Sequence, residues 1–268
     1  MPSMKIHTTI NSSPKDLFLA ANSLAGLHGG DTLFLIGAGP VLNHLSAETR
    51  AALKERVTLG VNRTQYVLPL TYFISAYQCE CTLALMSGNV NNVLHMRPQF
   101  APPVADGIIP LQRAMYQPGL MLPFTFQPPV PLVYTWMNVM LGATHLALIM
   151  GARRIVYVAV EQNNPVHFYH EDEAIRQKLK ADLRTLEQDG IPVSLDHPHL
   201  TYERLHEIID WDVQSIRNEP FPRDNMQKFT LFLDAVKLYG IELIATQEKS
   251  LLLQMGAEYR PLDDMLSE

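Results

Sequence analysis

The sequence lacks the features that mark membrane-spanning and secreted proteins. Its 268 residues contain no uninterrupted apolar stretch of about 18 residues, which is the length that a transmembrane helix needs. The first residues, MPSMKIHTTINSS, do not contain the apolar core of a signal peptide. These two absences predict a cytoplasmic protein without a membrane span.

Positive charge and cysteine are also scarce. The formal net charge is −6, whereas proteins that bind nucleic acid through its phosphates usually carry a basic excess, so a nucleic-acid partner is disfavoured without being excluded. The two cysteines, Cys79 and Cys81, would point to one face of a strand and could not bridge each other there. Zinc usually requires four ligands, so we expect two reduced cysteines and no metal site.

Apolar residues are plentiful and follow a regular pattern. Hydrophobic residues make up 47% of the chain, which suffices for a large core, and no shift in composition marks a linker. Short apolar runs predict strands, and amphipathic or capped segments between them predict helices. The predicted strands are 32–37, 57–62, 71–77, 153–161, 191–196 and 241–246, and the predicted helices are 13–28, 41–56, 137–152, 171–190, 201–216 and 224–240. This alternation predicts a single α/β domain over residues 1–268, with a Rossmann-like, mostly parallel sheet and helices on both faces.

A proline-rich segment interrupts the alternation at residues 96–133. Proline removes a backbone donor and stops both helices and central strands. The segment is also rich in Phe, Leu and Met, which is not typical of a disordered linker. We therefore expect an irregular, lid-like insertion that folds over the end of the sheet.

The turn Gly37-Ala38-Gly39-Pro40 follows the first predicted strand and precedes a helical pattern. Glycine would let the backbone approach a ligand, and a helix N-terminus attracts phosphate. A plain strand-to-helix turn would have the same composition. Leu42 breaks the GxGxxG pattern and no Gly-Lys-Ser/Thr follows, so neither a nicotinamide dinucleotide site nor a P-loop is indicated.

The order of several short motifs resembles one enzyme superfamily. Along residues 32–255 the motifs are GAGPVL, TLGVN, TYFISAY, NVMLGATHLALIMGARRIVYVAVE and DAVKLYGIELIATQEKSLL. The pattern is similar to that of the superfamily joining bacterial CMP-sialic-acid-dependent sialyltransferases to a domain group of flagellin-associated motility factors and archaeal hydroxymethyldihydropterin pyrophosphokinase. The resemblance implies a Rossmann-like fold that binds a nucleotide or a nucleotide-activated sugar.

Matched residue by residue, the resemblance implies a set of nucleotide-binding positions. The phosphate turn of the family falls on the Gly-Ala-Gly-Pro segment, and the asparagine after the second strand has a counterpart, as does an asparagine before the apolar helix. A glutamate stands where the family has the aspartate of a Gly-x-Asp motif. The implied nucleotide-binding residues are Gly37, Ala38, Gly39, Pro40, Asn62, Asn138 and Glu161.

The sequence also departs from the family pattern. Val41 replaces the serine of the phosphate turn, and Ala159 replaces the glycine of Gly-x-Asp. Where the sialyltransferases have a catalytic histidine before the late helix, this chain has Arg223 beside Asp224. These departures put sialyl transfer itself in doubt and leave a nucleotide site plausible.

Glycosyl transfer needs a base for the acceptor hydroxyl and a positive group for the departing phosphate. His170 follows a strand end and is the first candidate for the base, although the pattern His170-Glu171-Asp172 favours a plain acidic helix start. Asp224 is the second candidate base, and Arg223 is the candidate for the phosphate.

We therefore predict a glycosyltransferase that uses a nucleotide-activated sugar and requires no cofactor, with the acceptor and homo-oligomer formation left open. One alternative is a diphosphotransferase of the pterin pyrophosphokinase type, which would need Mg²⁺ held in part by Glu161 and Asp172. The other is a noncatalytic nucleotide-binding or assembly protein.

Overall fold

The architecture was analysed in a computed structural model that describes residues 21–97, 107–117, 119–126, 131–135, 138–161, 166–194, 199–211 and 223–268. The described chain forms one sheet in which every neighbouring pair of strands is parallel. The strands are β1 (Thr32–Ile36), β2 (Val57–Gly60), β3 (Leu70–Ser75), β4 (Val90–Arg97), β5 (Ile108–Met115), β6 (Leu132–Thr135), β7 (Arg154–Val158), β8 (Glu242–Ala245) and β9 (Glu258–Tyr259).

Helices cover both faces of this sheet, as the alternating sequence pattern predicts. The α-helices in the described ranges are α1 (Ala47–Lys54), α2 (Gln78–Ser87), α3 (Val139–Ile149), α4 (Phe168–Glu171), α5 (Glu173–Gln188), α6 (Tyr202–Ile209), α7 (Arg223–Lys237) and α8 (Leu262–Ser267). Leu33 and Leu35 of β1 belong to the core under α3 and α7, whereas Phe34 and Ile36 belong to the core under the other helices. The α/β, Rossmann-like fold class is therefore confirmed.

The strand order is β6-β5-β4-β3-β2-β1-β7-β8-β9. The chain adds strands outward from β1 to β6 and then returns through α3 to β7, on the other side of β1. The order of the strands thus reverses between β1 and β7. In open parallel sheets, ligands bind beyond the carboxyl ends of the strands, often at such a reversal.

Side-chain caps explain where several helices begin. Ser46, Asn138, Asp172 and Thr201 each accept a hydrogen bond from a backbone N–H in the first turn of α1, α3, α5 and α6, respectively. The helix predicted over 41–56 therefore begins later, after Ser46. The preceding Pro40–His44 segment is a separate 3₁₀ helix.

The proline-rich segment contains more regular structure than its composition predicts. The expectation of irregular chain over 96–133 is wrong at β5 and at β6, both of which pair in the sheet. Pro110 lies inside β5 opposite His95, and its neighbours continue the pairing with β4. The register with β6 begins only at Gln112, so the donor that Pro110 lacks would have no strand partner on that side. Residues 98–106, 118 and 127–130 lie outside the described residues, and a lid role stays a prediction.

Two further expectations differ from the structure. Residues 191–194 do not join the sheet; instead, the carbonyl of Val193 accepts a hydrogen bond from the N–H of Cys79 at the start of α2. Cys79 and Cys81 lie on this helix rather than on a strand, and both are buried free thiols. Burial raises the pKa of Cys79 to about 12, so the thiol is protonated at neutral pH.

The N-terminal helix predicted over 13–28 falls largely outside the described residues, and residues 23–28 form turns. No helix in the described part of the chain is both long enough and apolar enough to cross a membrane.

Candidate functional site

The Gly37–Pro40 turn is packed against the end of β7. The N–H of Gly37 donates to the carbonyl of Val158 at 2.8 Å, and the N–H of Gly39 donates to the carbonyl of Ala159 at 3.0 Å. A Cβ atom at position 37 would lie 2.5 Å from the Ala159 oxygen, and one at position 39 would lie 2.8 Å from it. Both glycines are therefore explained by close contact between two backbone segments, and both amides are engaged inside the protein.

The other two residues of the turn also have structural partners. The carbonyl of Ala38 accepts a hydrogen bond from the N–H of Phe168 at 2.9 Å. Pro40 begins a five-residue 3₁₀ helix rather than the α-helix that a phosphate turn would use. Ala159, which replaces the family glycine, has a φ of 55°, in the left-handed region that glycine tolerates best.

A cavity of about 690 Å³ lies elsewhere, at the carboxyl ends of β2 to β6. The described part of its wall combines amides, hydroxyls, a guanidinium, an imidazole and apolar side chains. The described residues that line it are Asn62, Ser75, Ala76, Tyr77, Met96, Arg113, Met115, Thr135, Asn138, Val139, His199 and Leu200. Asn62 and Asn138, two predicted nucleotide-binding residues, are thus brought together.

The remaining predicted site residues are not part of this wall. The described lining residues do not include Gly37, Ala38, Gly39, Pro40, Glu161 or His170. Glu161 lies beyond β7, where its carbonyl accepts a hydrogen bond from the N–H of Leu251. Arg223 and Asp224 begin α7, and their side chains lie outside the described part of the structure.

The β5–β6 side of the cavity combines a guanidinium with the start of a helix. Arg113 of β5 contributes a guanidinium, and Val139 lies in the first turn of α3, which contains no acidic residue. The cap of this helix is firmly held, because Asn138 Oδ1 accepts from the Met140 N–H at 2.8 Å and the Thr135 hydroxyl donates to the Asn138 carbonyl at 2.5 Å. No Asp or Glu occurs among the described residues of the wall. This side therefore suits an anionic group.

A buried ionic network lies behind the β3 side. Arg63 Nε is 3.2 Å from Glu80 Oε1, and both side chains are about 5% exposed or less. The Ser75 hydroxyl donates to Glu80 Oε2 at 2.5 Å and accepts from the Tyr77 N–H at 3.0 Å. The Arg63 guanidinium also lies over the ring of Tyr169, 5.1 Å from its centroid. Ser75 is thus hydrogen-bonded to a buried ion pair whose arginine directly follows the cavity residue Asn62 in the chain.

The imidazole of His170, the predicted base, is held by hydrogen bonds within the protein. Its Nδ1 accepts a hydrogen bond from the His167 N–H at 3.0 Å, and its Nε2 lies 2.9 Å from the carbonyl of Ile208. Burial lowers the pKa of the His170 imidazole. With both nitrogens engaged, this side chain connects α4 to α6, and the contacts do not support the predicted catalytic role.

Sequence reasoning missed Ser75, Arg113 and His199. Each has an ordinary local sequence, and only the order of the strands brings them to one cavity. Glu80 offered the clearest signal, because it is a charged residue in the otherwise uncharged helix QCECTLALMS.

No group of three or more His, Cys, Asp or Glu side chains in the described ranges is arranged to hold a metal ion. No protein-family model matches the chain, and no curated protein or solved structure is significantly similar to it.

Proposed function

We propose that the protein is a glycosyltransferase that binds a nucleotide-activated sugar in the cavity at the carboxyl ends of β2 to β6. The observation that carries this proposal is the combination of Arg113, the N-terminus of α3 and the amides of Asn62 and Asn138 around one cavity. Its volume of about 690 Å³ is within the roughly 300–1,000 Å³ typical of small-molecule sites. The motif order along residues 32–255 supports a nucleotide as the ligand.

In this proposal the β5–β6 side binds the phosphate of the donor. Arg113 and the N-terminus of α3 stabilise the negative charge that develops when the bond between the anomeric carbon and the phosphate oxygen breaks. The electron pair of that bond stays on the phosphate oxygen. A nucleotide carrying a terminal phosphate is the leaving group.

His199 is the base in this proposal, since it supplies an imidazole to the cavity wall. It accepts the proton of the acceptor hydroxyl as the acceptor oxygen bonds to the anomeric carbon. Arg223 and Asp224, implied by the family pattern, stay predicted contributors. The acceptor is left open.

A thermal-shift screen of CMP, CDP, UDP, GDP and ATP, with and without Mg²⁺, tests nucleotide binding. The Arg113→Met variant should weaken binding of the nucleotides that stabilise the protein by about tenfold or more, because it removes a charge-assisted hydrogen bond. Arg153→Met is the matched control, since Arg153 is exposed and outside the cavity wall. Equal affinities in the two variants would contradict the proposed site.

Turnover separates the remaining alternatives. Release of the nucleotide from a nucleotide sugar in the presence of acceptors supports the transferase. Strict dependence on Mg²⁺ with transfer of diphosphate supports the pyrophosphokinase-type alternative, and binding without turnover of any donor supports a noncatalytic role.

A further inference from the structure

Large apolar side chains on the surface are concentrated in one region of the fold. Ten such side chains are exposed in the described part of the chain, and five of them belong either to the loop between β5 and β6 or to α7 and the residue after it. These five include the three most exposed of all ten, at 74%, 68% and 61%. They form the apolar patch, which consists of Leu120, Met121, Phe124, Leu231 and Leu238.

Tyr116 holds the first part of the loop against α7. Its hydroxyl donates to the Leu120 carbonyl at 3.1 Å, and its ring lies 5.1 Å from the ring of Phe232, in an edge-to-face arrangement. Phe232 directly follows Leu231 in α7. The contact therefore brings the Leu120 part of the loop next to the Leu231 part of the helix.

Tyr239 makes similar contacts at the carboxyl end of α7. Its hydroxyl donates to the Leu122 carbonyl, and its ring lies 5.9 Å from the ring of Phe124. Tyr239 directly follows Leu238, so Phe124 and Leu238 lie on neighbouring parts of the same surface. Loop and helix thus form one patch whose shape is fixed by contacts at both ends.

The loop uses other side chains to attach itself to the protein. Leu122 is fully buried and Phe126 is nearly so, and both belong to the core under α3 and α7. The outward side chains are therefore not what anchors the loop. Exposed apolar patches larger than a few hundred Å² mark interaction sites, so the patch requires a partner rather than a structural explanation.

The area of the patch matches one side of a standard protein interface. A large apolar side chain presents roughly 200 Å² when it is fully exposed, so the exposed fractions of the five side chains amount to roughly 500 Å². A standard interface covers about 800 Å² of each partner, and about 60% of that area is apolar. The patch therefore supplies the apolar surface that one subunit of a stable dimer needs.

We propose that the apolar patch is the contact surface of a two-fold symmetric homodimer. In such a dimer both subunits use the same patch, so the surface has to be complementary to itself. An uncharged apolar surface meets this condition, and the loop segment GLMLPFTF at residues 119–126 contains no charged residue. The contacts with α7 order the patch before association, which lowers the entropy cost of binding. A homodimer is compatible with each function considered above, and its test needs no ligand.

The charges around the patch favour a second copy over a membrane surface. Proteins that bind membranes through exposed apolar side chains usually add a cluster of Lys and Arg for the anionic lipids. Beside the patch, α7 carries Asp234 and Lys237, which form an ion pair at 3.3 Å, and the whole chain has a formal net charge of −6. Charges of both signs are typical of the polar rim of a protein interface.

Sedimentation equilibrium of the full chain measures the association directly. At a protein concentration of about 100 µM we expect a particle of twice the chain mass of 30.2 kDa, because interfaces of standard size bind with micromolar affinity or better. The mass of a single chain throughout the range up to that concentration would overturn the proposal.

Substitutions assign the dimer to the patch. Met121→Glu and Leu238→Glu each place a carboxylate in the contact, and the two-fold symmetry places it there twice, so the dissociation constant of the dimer should rise by about 100-fold or more. Met86→Glu is the matched control, because Met86 is 56% exposed but lies on α2, which covers the other face of the sheet. A dimer that persists in both patch variants, or that is lost equally in the control, would reject the assignment.

Cross-linking tests whether the same patch is used by both subunits. The native thiols of Cys79 and Cys81 are buried, so a thiol introduced on the surface is the one that reacts. A short bis-maleimide should produce a covalent dimer of Met121→Cys or of Leu238→Cys and none of Met86→Cys. Failure of both patch variants to cross-link in a sample that is dimeric by sedimentation would rule out the two-fold contact.

Phosphatidylcholine vesicles test the competing occupant of the patch. Wild-type protein that stays in the supernatant when the vesicles are pelleted supports the second copy. Protein that is monomeric and pellets with the vesicles, while Met121→Glu stays in the supernatant, would overturn the homodimer and assign the patch to a lipid surface.

Discussion

Gly37 and Ala159 are in such close contact that a single methyl group on the glycine would overlap the Ala159 carbonyl oxygen at 2.5 Å. The same carbonyl accepts the hydrogen bond from Gly39. This contact joins the end of β1 to the end of β7, at the place where the strand order reverses. The turn that the sequence predicts to hold a ligand is thus part of the packing of the sheet.

Gly37→Ala and Gly39→Ala should therefore affect folding before they affect binding. We expect each to lower the free energy of unfolding by about 1–3 kcal/mol, the usual cost of overpacking, because the neighbouring atom belongs to the backbone. Urea unfolding measures this change. Gly29→Ala is the comparison variant, since its φ is ordinary and its Cβ would lie 3.3 Å from the Gly26 carbonyl oxygen, a tight contact that needs a shift of only a few tenths of an ångström. Stability equal to that of the comparison variant would mean that β7 can shift away.

His145 should make the protein less stable in mild acid. Its Nδ1 accepts from the Tyr134 N–H at 2.8 Å and its Nε2 lies 2.7 Å from the Pro123 carbonyl. Burial lowers its pKa in the folded protein to about 4, below the ordinary value of 6.5. Between these two pH values the unfolded chain binds more protons, so stability is fully present above about pH 6.5 and is lost as the pH falls toward 4.

The pH dependence can be assigned with a variant that does not titrate at this position. Wild-type stability should fall relative to that of His145→Gln by on the order of 1 kcal/mol per pH unit between pH 6 and pH 4.5. His167, whose pKa burial lowers to about 3, titrates in both proteins and cancels from the difference. Parallel stability curves for the two proteins would show that His145 does not control this transition.

His199 and His170 should differ sharply when each is replaced by glutamine. If His199 is the base, sugar transfer by His199→Gln should fall by about two to four orders of magnitude, while nucleotide affinity changes little. His170→Gln should keep turnover within a few fold, because the ring of His170 is engaged with His167 and Ile208. Initial rates of nucleotide release under saturating donor provide the measurement. A large loss of turnover in folded His170→Gln would restore the base predicted from the sequence.

The ion pair between Arg63 and Glu80 should show strong coupling. Arg63→Met leaves the Glu80 charge buried without its partner, so we expect a loss of about 3–5 kcal/mol in the free energy of unfolding. Adding Glu80→Met should recover part of that loss, since it removes the stranded charge. A double-mutant cycle with the two single variants provides the coupling energy. Additive losses would indicate that water enters and screens the two charges.

The sheet was predictable because short apolar runs alternate with capped helical segments, such as the one that begins after Ser46. The strands within the proline-rich segment could not be predicted from the sequence. Pro110 is a strong signal against a central strand, and only pairing with β4 and β6 outweighs it. Residues 191–194 show the opposite error, since a strand was predicted there and none forms. Their apolar side chains pack near the start of α2 rather than in the sheet.

The position of two predicted site residues in the fold follows directly from the sequence. Asn62 follows a strand and Asn138 precedes a helix, which places both at the carboxyl edge of a parallel sheet; their role in nucleotide binding stays a prediction. Glycine permits close approach of any group, and at Gly37 and Gly39 the group that approaches is the Ala159 backbone; their role in nucleotide binding stays a prediction. Ser75 and Arg113 could not be connected without knowing that β3 and β5 flank β4.

The position of β1 in the sheet has a consequence for how the chain acquires its structure. Strands β2 to β6 can assemble on one side of β1 in the order in which they are synthesised, but Thr32 pairs with Arg154 on the other side. One edge of the future central strand therefore stays unpaired during synthesis until β7 has left the ribosome. Non-local pairing of this kind slows folding and exposes an aggregation-prone edge, so the nascent chain should depend on chaperones most strongly before residue 154 emerges.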